Sequence, residues 1–307
     1  MLSNKKIRII GVPSDLGASR RGVDMGPSAM RIANVGQKLE ELGYLVEDCG
    51  NVPVAVRESI LADKTDPKYR YMPEIRDYSL ALKDLVYQGL KNSQTPLVLG
   101  GDHSLAIGSI AGVQKFYGEK NEKIGVIWMD AHGDINTPES SPSGNIHGMP
   151  LAHALGHGHK ELLAIGERNP MIDPSRAVLI GIRDLDQGER NAIKAMGVRA
   201  FTMRDIDEMG MRAVMQEAIR IATSGSAGFH LSFDVDCMDP SDAPGVGTAV
   251  SGGTTYREGH LAMEILADSG KMLSMDVTEV NPVLDISNQT GTLAVGIILS
   301  AFGKRIL

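Results

Sequence analysis

The chain has 307 residues, 42% hydrophobic and 22% charged, enough for one large α/β domain with a substantial core. Aromatic residues make up only 4% while glycine occurs 35 times, a mix that suits a parallel sheet with tight strand-to-helix turns better than a β-sandwich. The net charge of −7 and the absence of a basic stripe argue against nucleic acid as a partner and are compatible with a cationic small molecule.

In chain order, the first apolar run, residues 6–12, is expected to be a strand. The chain start is basic, but its apolar stretch of about five residues is too short for the core of a signal peptide. Residues 27–42 place Ala29, Ile32, Ala33, Val35 and Leu39 at helical spacing, with Pro27 near the start, where its missing N–H does no harm. Further strands are expected at 44–47, 96–99, 124–129, 177–182, 198–202, 228–233 and 272–277, and helices at 78–90, 104–116, 211–223 and 256–267. The late apolar run 293–302 is too short to span a membrane and is expected to be a buried helix. Two distant cysteines, Cys49 and Cys237, form no CxxC pair, which points to a reduced cytoplasmic protein without a disulfide. Strand–helix alternation with near-continuous apolar strands predicts a three-layer α/β domain over 1–307, a parallel sheet with helices on both faces.

Polar fragments follow five of these strands: GGDHS, DAHGD, GIRDLDQGE, DVDCMDP and TEVNP. In open parallel sheets ligands bind beyond the carboxyl ends of the strands, so the five fragments should share one rim. Asp130, His132 and Asp134 alternate after one strand, and Asp234 and Asp236 after another, the spacing at which extended backbone points side chains to one side. Asp102 and His103 close a third run. The set His103, Asp130, His132, Asp134, Asp234 and Asp236 holds four carboxylates and two imidazoles, too many ligands and too much charge for one tetrahedral zinc site. It suits two divalent cations about 3.5–4 Å apart with bridging carboxylates. Oxygen-rich ligation favours manganese or magnesium and the imidazoles favour manganese, with zinc, iron and cobalt left open. Such a pair makes hydrolysis the natural reaction, because it lowers the pKa of a bridging water. No GxGxxG or GxxxxGK[ST] follows any strand, which argues against a nucleotide-binding module.

The fragments GGDHS, DAHGDINT, SPSGNIHGMP, DVDCMDPSDAPGVGT and EVNP, in this order and spacing, together with the opening IIGVPSDLGASRRGVDMGPSAMR, resemble the arginase (ureohydrolase) family over essentially the whole chain. The resemblance implies a doubly wound, mostly parallel eight-stranded sheet and hydrolysis of L-arginine to L-ornithine and urea by hydroxide bridging two Mn2+ per subunit. It implies that Asp130 and Asp234 bridge the metals, that His103 and Asp134 complete one and His132 and Asp236 the other, and that Asp134 also takes part in proton transfer. His147 matches the family's proton shuttle, a role that suits a group titrating near neutrality. Glu279 matches the carboxylate that orients the guanidinium. Asn136, Ser143 and Asn145 match positions that bind the α-carboxylate, Asp186 and Glu189 match those for the α-ammonium, and Thr248 lies near the guanidinium.

The family's trimers and hexamers imply a homo-oligomer, with Arg305 in the tail at an interface, and nothing points to a membrane. The alternative within the family is an agmatinase or guanidino-acid hydrolase; Asn136 and the SGN segment favour arginine, since agmatine has no α-carboxylate. A non-catalytic homologue would have a broken ligand set or lack His147 or Glu279, and none is missing. Two residues depart from the family's pattern. Cys237 stands where glycine is frequent, which raises oxidation or a soft-metal contact, although plain tolerance is the expectation. Ala249 replaces a frequent proline and should loosen its loop slightly. The remaining histidines, His153, His157, His159, His230 and His260, are expected at helix-surface, loop or core positions.

Overall fold

The structure, a computed structural model, describes residues 5–60 and 66–306. Residues 1–4, the first part of the chain start considered above, lie outside the described residues.

The eight strands are β1 (Lys6–Val12), β2 (Leu45–Asn51), β3 (Gln94–Gly100), β4 (Gly125–Met129), β5 (Ala177–Ile182), β6 (Arg199–Thr202), β7 (Phe229–Asp234) and β8 (Met272–Thr278). They form one sheet in the order β2-β1-β3-β8-β7-β4-β5-β6, and every neighbouring pair is parallel. All eight expected strands are present, with ends shifted by a few residues. The central strands β3, β4, β5 and β7 are almost wholly buried, which is why they read as unbroken apolar runs.

The helices are α1 (Gly26–Ile32), α2 (Val35–Glu41), α3 (Met72–Lys91), α4 (Ala106–Gly118), α5 (Pro150–Ala154), α6 (Lys160–Leu163), α7 (Gln187–Met196), α8 (Met203–Met209), α9 (Met211–Ala222), α10 (Tyr256–Ser269) and α11 (Gln289–Ala301). Two cores flank the sheet. One joins α1, α2, α9, α10 and α11 through residues such as Met30, Leu39, Met215, Met263 and Ile298. The other joins α3, α4 and α5 through Tyr78, Leu82, Ile110 and Leu151. The architecture is thus the expected three-layer α/β fold.

The single helix expected over 27–42 is two helices. Asn34 sits between them at φ 64°, in the left-handed region, and breaks the helical path. Asparagine tolerates that conformation because its short amide bonds locally, so the apolar periodicity continues across a break it cannot reveal.

Candidate metal and substrate site

Three strand ends at the carboxyl rim use one local device. Asp102, Asp130 and Asp234 each accept, through Oδ1, the N–H of the residue two places on: Ser104 at 3.0 Å, His132 at 2.7 Å and Asp236 at 2.8 Å. An aspartate that bonds its own backbone two residues later turns the chain sharply. The alternate spacing of Asp130, His132 and Asp134 is therefore not strand alternation, as expected from sequence. Strand β4 ends at Met129, and the chain then curls until Asp134 has φ 49°. The residues converge as anticipated, but through turns.

His103 Nδ1 lies 3.3 Å from Asp130 Oδ2, 3.0 Å from Asp134 Oδ2 and 3.0 Å from Asp234 Oδ2. His132 Nδ1 lies 3.3 Å from Asp130 Oδ1 and 3.2 Å from Asp236 Oδ2. Two ligand clusters result, His103–Asp130–Asp134–Asp234 and Asp130–His132–Asp236, with Asp130 giving one oxygen to each. Ligands about 2.1 Å from a cation along octahedral axes stand about 3.0 Å apart, so these spacings fit donors grouped around ions. Asp234 belongs to the first cluster, while its Oδ1 accepts the N–H of Asp236.

The electrostatics agree. Burial opposes charge on His103 and His132, yet the surrounding carboxylates hold their proton affinity far above the usual imidazole range. Burial, together with neighbouring carboxylates, pushes Asp234 and Asp236 up, and Asp134 up to about 6. Asp130 is depressed despite its burial by His103 and His132. So dense a set of buried acids is expensive without positive charge, and each cluster has the donors to hold a cation that would supply it. Three of these side chains are held in place from behind. Trp128 Nε1 donates to Asp130 Oδ2 at 3.0 Å, and its ring stacks on His103 at 4.1 Å. Thr248 Oγ1 donates to Asp236 Oδ2 at 2.9 Å.

A cleft of about 200 Å³ opens over the clusters. His132, Asp134, Asn136, Ser143, Asn145, His147, Asp186, Glu189, Asp234 and Thr248 all line it, so every substrate position expected from sequence is gathered there. Glu279 lies below, with φ 65° and almost no exposure. Its Oε1 accepts the backbone N–H of His103 at 3.0 Å and lies 3.1 Å from His147 Nδ1. Burial opposes ionisation of both groups, but each favours the charge of the other: Glu279 is lowered and His147 is raised to about 9. Residues given separate roles from sequence are thus directly coupled. Asp186 and Glu189 form a reciprocal capping box at the start of α7, with Asp186 Oδ1 accepting the Glu189 N–H and Glu189 Oε2 accepting the Asp186 N–H. Asp186 Oδ2 accepts from Asn136 Nδ2 at 2.7 Å. Burial, with Asp134 nearby, pushes Glu189 up to about 7.

Asp102 stands apart from the clusters. It anchors the loop after β1, accepting from Ser14 Oγ, Gly17 N–H and Ser104 Oγ, and Gly17 O in turn accepts the His147 N–H. Cys237 is buried, its thiol pushed up to about 12 by burial, and it joins neither cluster. It packs as a buried side chain in the core, as plain tolerance would have it. The His157–His159 segment is structural. His153 Nδ1 bonds Met149 O, and its Nε2 accepts the His159 N–H.

Sequence reading missed Ser141, which lines the cleft, and Arg183, whose guanidinium donates to the carbonyls of Asp236, Cys237, Met238 and Val250. Arg183 thereby clips the metal-ligand loop to the loop carrying Thr248. Ser141 belongs to a quoted motif, but nothing local marks it. Arg183 acts through backbone acceptors, which leave no trace in side-chain patterns.

A model of the arginase family matches residues 5–303. The arginase of Bacillus caldovelox is 51% identical over 303 residues, covering 99% of this chain and all of that protein. A solved native structure of the Bacillus caldovelox arginase superposes with a TM-score of 0.94 over 99% of this chain and 100% of that one. A hypothetical agmatinase from Burkholderia thailandensis is more distant, at 25% identity and a TM-score of 0.74 over 98% of this chain and 85% of that one.

Proposed function

The chain belongs to the arginase family, and on that premise we propose that its rim site hydrolyses L-arginine to L-ornithine and urea with two manganese ions held by His103, Asp130, His132, Asp134, Asp234 and Asp236. The observation that carries the reading is the pair of ligand clusters sharing Asp130 beneath a cleft lined by both amide and acid side chains. Two divalent cations held there would lower the pKa of a bound water and so supply a nucleophile near neutral pH.

The chain's own groups do the rest. Glu279 accepts hydrogen bonds from the planar guanidinium and fixes its carbon over the clusters, a directional contact. Asp134 accepts a hydrogen bond from the attacking oxygen, and as the C–N bond breaks it helps deliver a proton to the leaving nitrogen. His147, protonated through its pairing with Glu279, supplies the departing amine with a proton from the cleft side. Asn136, Ser143 and Asn145 bind the α-carboxylate, Asp186 and Glu189 bind the α-ammonium, and Thr248 borders the guanidinium.

Neutral donors beside acids match a zwitterionic head group, which favours arginine over agmatine. The cytoplasm and a homotrimer or homohexamer complete the proposal. Among the described residues no helix is long and apolar enough to cross a membrane. Urea release from L-arginine and from agmatine, each with manganese or with chelator, tests the reading. Manganese-dependent urea from arginine, with little from agmatine, is expected. Preference for agmatine would overturn the head-group assignments, and activity indifferent to chelation would overturn the metal assignment.

A further inference from the structure

Below the ligand clusters the middle of the sheet is polar where a core would ordinarily be apolar. On β7, His230, Ser232 and Asp234 occupy alternate positions on one face. On β8, Ser274, Asp276 and Thr278 do the same, and the register pairs His230 with Ser274, Ser232 with Asp276 and Asp234 with Thr278. All six are buried. His103 Nδ1 faces three carboxylates, and its Nε2 lies 2.8 Å from Ser232 Oγ; with a cation held at Nδ1, Nε2 would carry the ring proton and donate it to that hydroxyl. Ser232 Oγ then donates to Asp276 Oδ1 at 2.6 Å. The other oxygen, Asp276 Oδ2, accepts from Ser109 Oγ of α4 at 2.6 Å and lies 2.9 Å from His230 Nε2. His230 Nδ1 is in turn 2.7 Å from Ser274 Oγ. A fully buried carboxylate is thus held by three polar side chains, one of which leads directly to a candidate ligand imidazole.

We propose that Asp276, acting through Ser232 and held in place by His230 and Ser109, is a positioning residue for His103 and sets the affinity of the His103–Asp130–Asp134–Asp234 cation site. The inference rests on the dinuclear reading above. A ligating histidine needs its other ring nitrogen fixed by an acceptor, which selects the tautomer and the ring orientation and raises ligand basicity. Here Ser232 is that acceptor, but a hydroxyl can rotate. Asp276 ends the ambiguity because it can only accept, which compels Ser232 to present a lone pair to His103.

The test is manganese titration of metal-free wild type, Asp276→Asn, Ser232→Ala and the double variant by calorimetry, with melting of the metal-free proteins alongside. Asparagine keeps the shape but sets an N–H₂ among groups that all donate. Asp276→Asn should weaken one of the two manganese ions by roughly 10- to 100-fold and leave the other within about threefold. Ser232→Ala should do the same, and the double variant should be no weaker than the worse single one, because both act through one link. At saturating manganese KM for arginine should stay native. Native affinity at both sites in Asp276→Asn overturns the proposal, and so does equal weakening of both sites with a matching fall in metal-free Tm, which marks a merely structural role. If Asp276→Asn fails to fold, Ser232→Ala decides: single-site loss supports the relay and native binding overturns it. Wild type that does not bind two manganese ions would instead overturn the dinuclear reading, a distinct result.

Discussion

At the scale of the residue, the site is a set of polar groups held in conformations and environments that only mutual contact sustains. Asp134 and Glu279 both have left-handed backbone, uncommon for residues other than glycine and concentrated at functional positions. Asp130 gives an oxygen to each cluster, so Asp130→Asn should strip or weaken both cations and abolish turnover; full activity with normal metal content by elemental analysis would sink the assignment. His147→Ala should retain metal but slow turnover by about 10²–10⁴, and unchanged kcat would remove it from proton transfer. The coupling of His147 to Glu279 has its own signature. His147 is raised to about 9 chiefly by Glu279, against burial, so in Glu279→Gln its ring should lose its proton at lower pH, as read from the imidazole NMR titration. The six candidate ligands and His147 could be picked out in sequence because each sits in a short motif with its neighbours. Asp276 was not, since one aspartate in a strand looks the same whether it meets a serine relay or solvent.

At the scale of the element, helix caps and site residues are the same side chains. Asp186 caps α7 through Oδ1 while the residue faces the cleft, so its substitution has two separable effects. Asp186→Ala should lower stability by about 1 kcal/mol through the lost cap and relax the preference for substrates bearing an α-ammonium. Asp186→Ser should recover the stability without the selectivity. Melting curves and kcat/KM for arginine against a guanidine lacking the α-amine distinguish the two; unaltered selectivity in both variants would remove Asp186 from ammonium binding. Strand positions were readable because buried parallel strands are continuous apolar runs. Helix continuity was not, as the break at Asn34 shows, and neither were the short helices α5 and α6, which have too few residues for a periodic signal.

At the scale of the whole molecule, the sheet delivers polar loops from distant parts of the chain to one rim, and their buried charge ties folding to cation binding. Chelation should therefore lower Tm and manganese restore it, with a gain of about 4 kcal/mol for each site at a thousandfold excess over Kd; a Tm indifferent to chelator would argue against the buried clusters as cation sites. A second stability effect lies away from the site. Burial depresses His153 from its ordinary 6.5 to about 4. A depressed imidazole contributes stability that is present above about pH 6.5 and is lost as pH falls toward 4, because the unfolded chain takes up the proton first. The full effect is on the order of 3 kcal/mol. Between pH 7 and 5, wild type should lose more Tm than His153→Gln at the same metal concentration, and parallel losses would refute that role.

What the sequence by itself determined is the chemistry: which residue types stand at the strand ends, the parallel three-layer architecture, and the family to which they belong. These are local or periodic properties, carried by neighbours a few positions apart. Only the tertiary structure decided how the groups depend on one another. Asp130 serves two clusters, His147 leans on Glu279, and Arg183 ties two loops by their carbonyls. Asp276 reaches His103 across two strands. Such links join residues tens to more than a hundred positions apart, through hydrogen bonds whose geometry exists only once the sheet order is set.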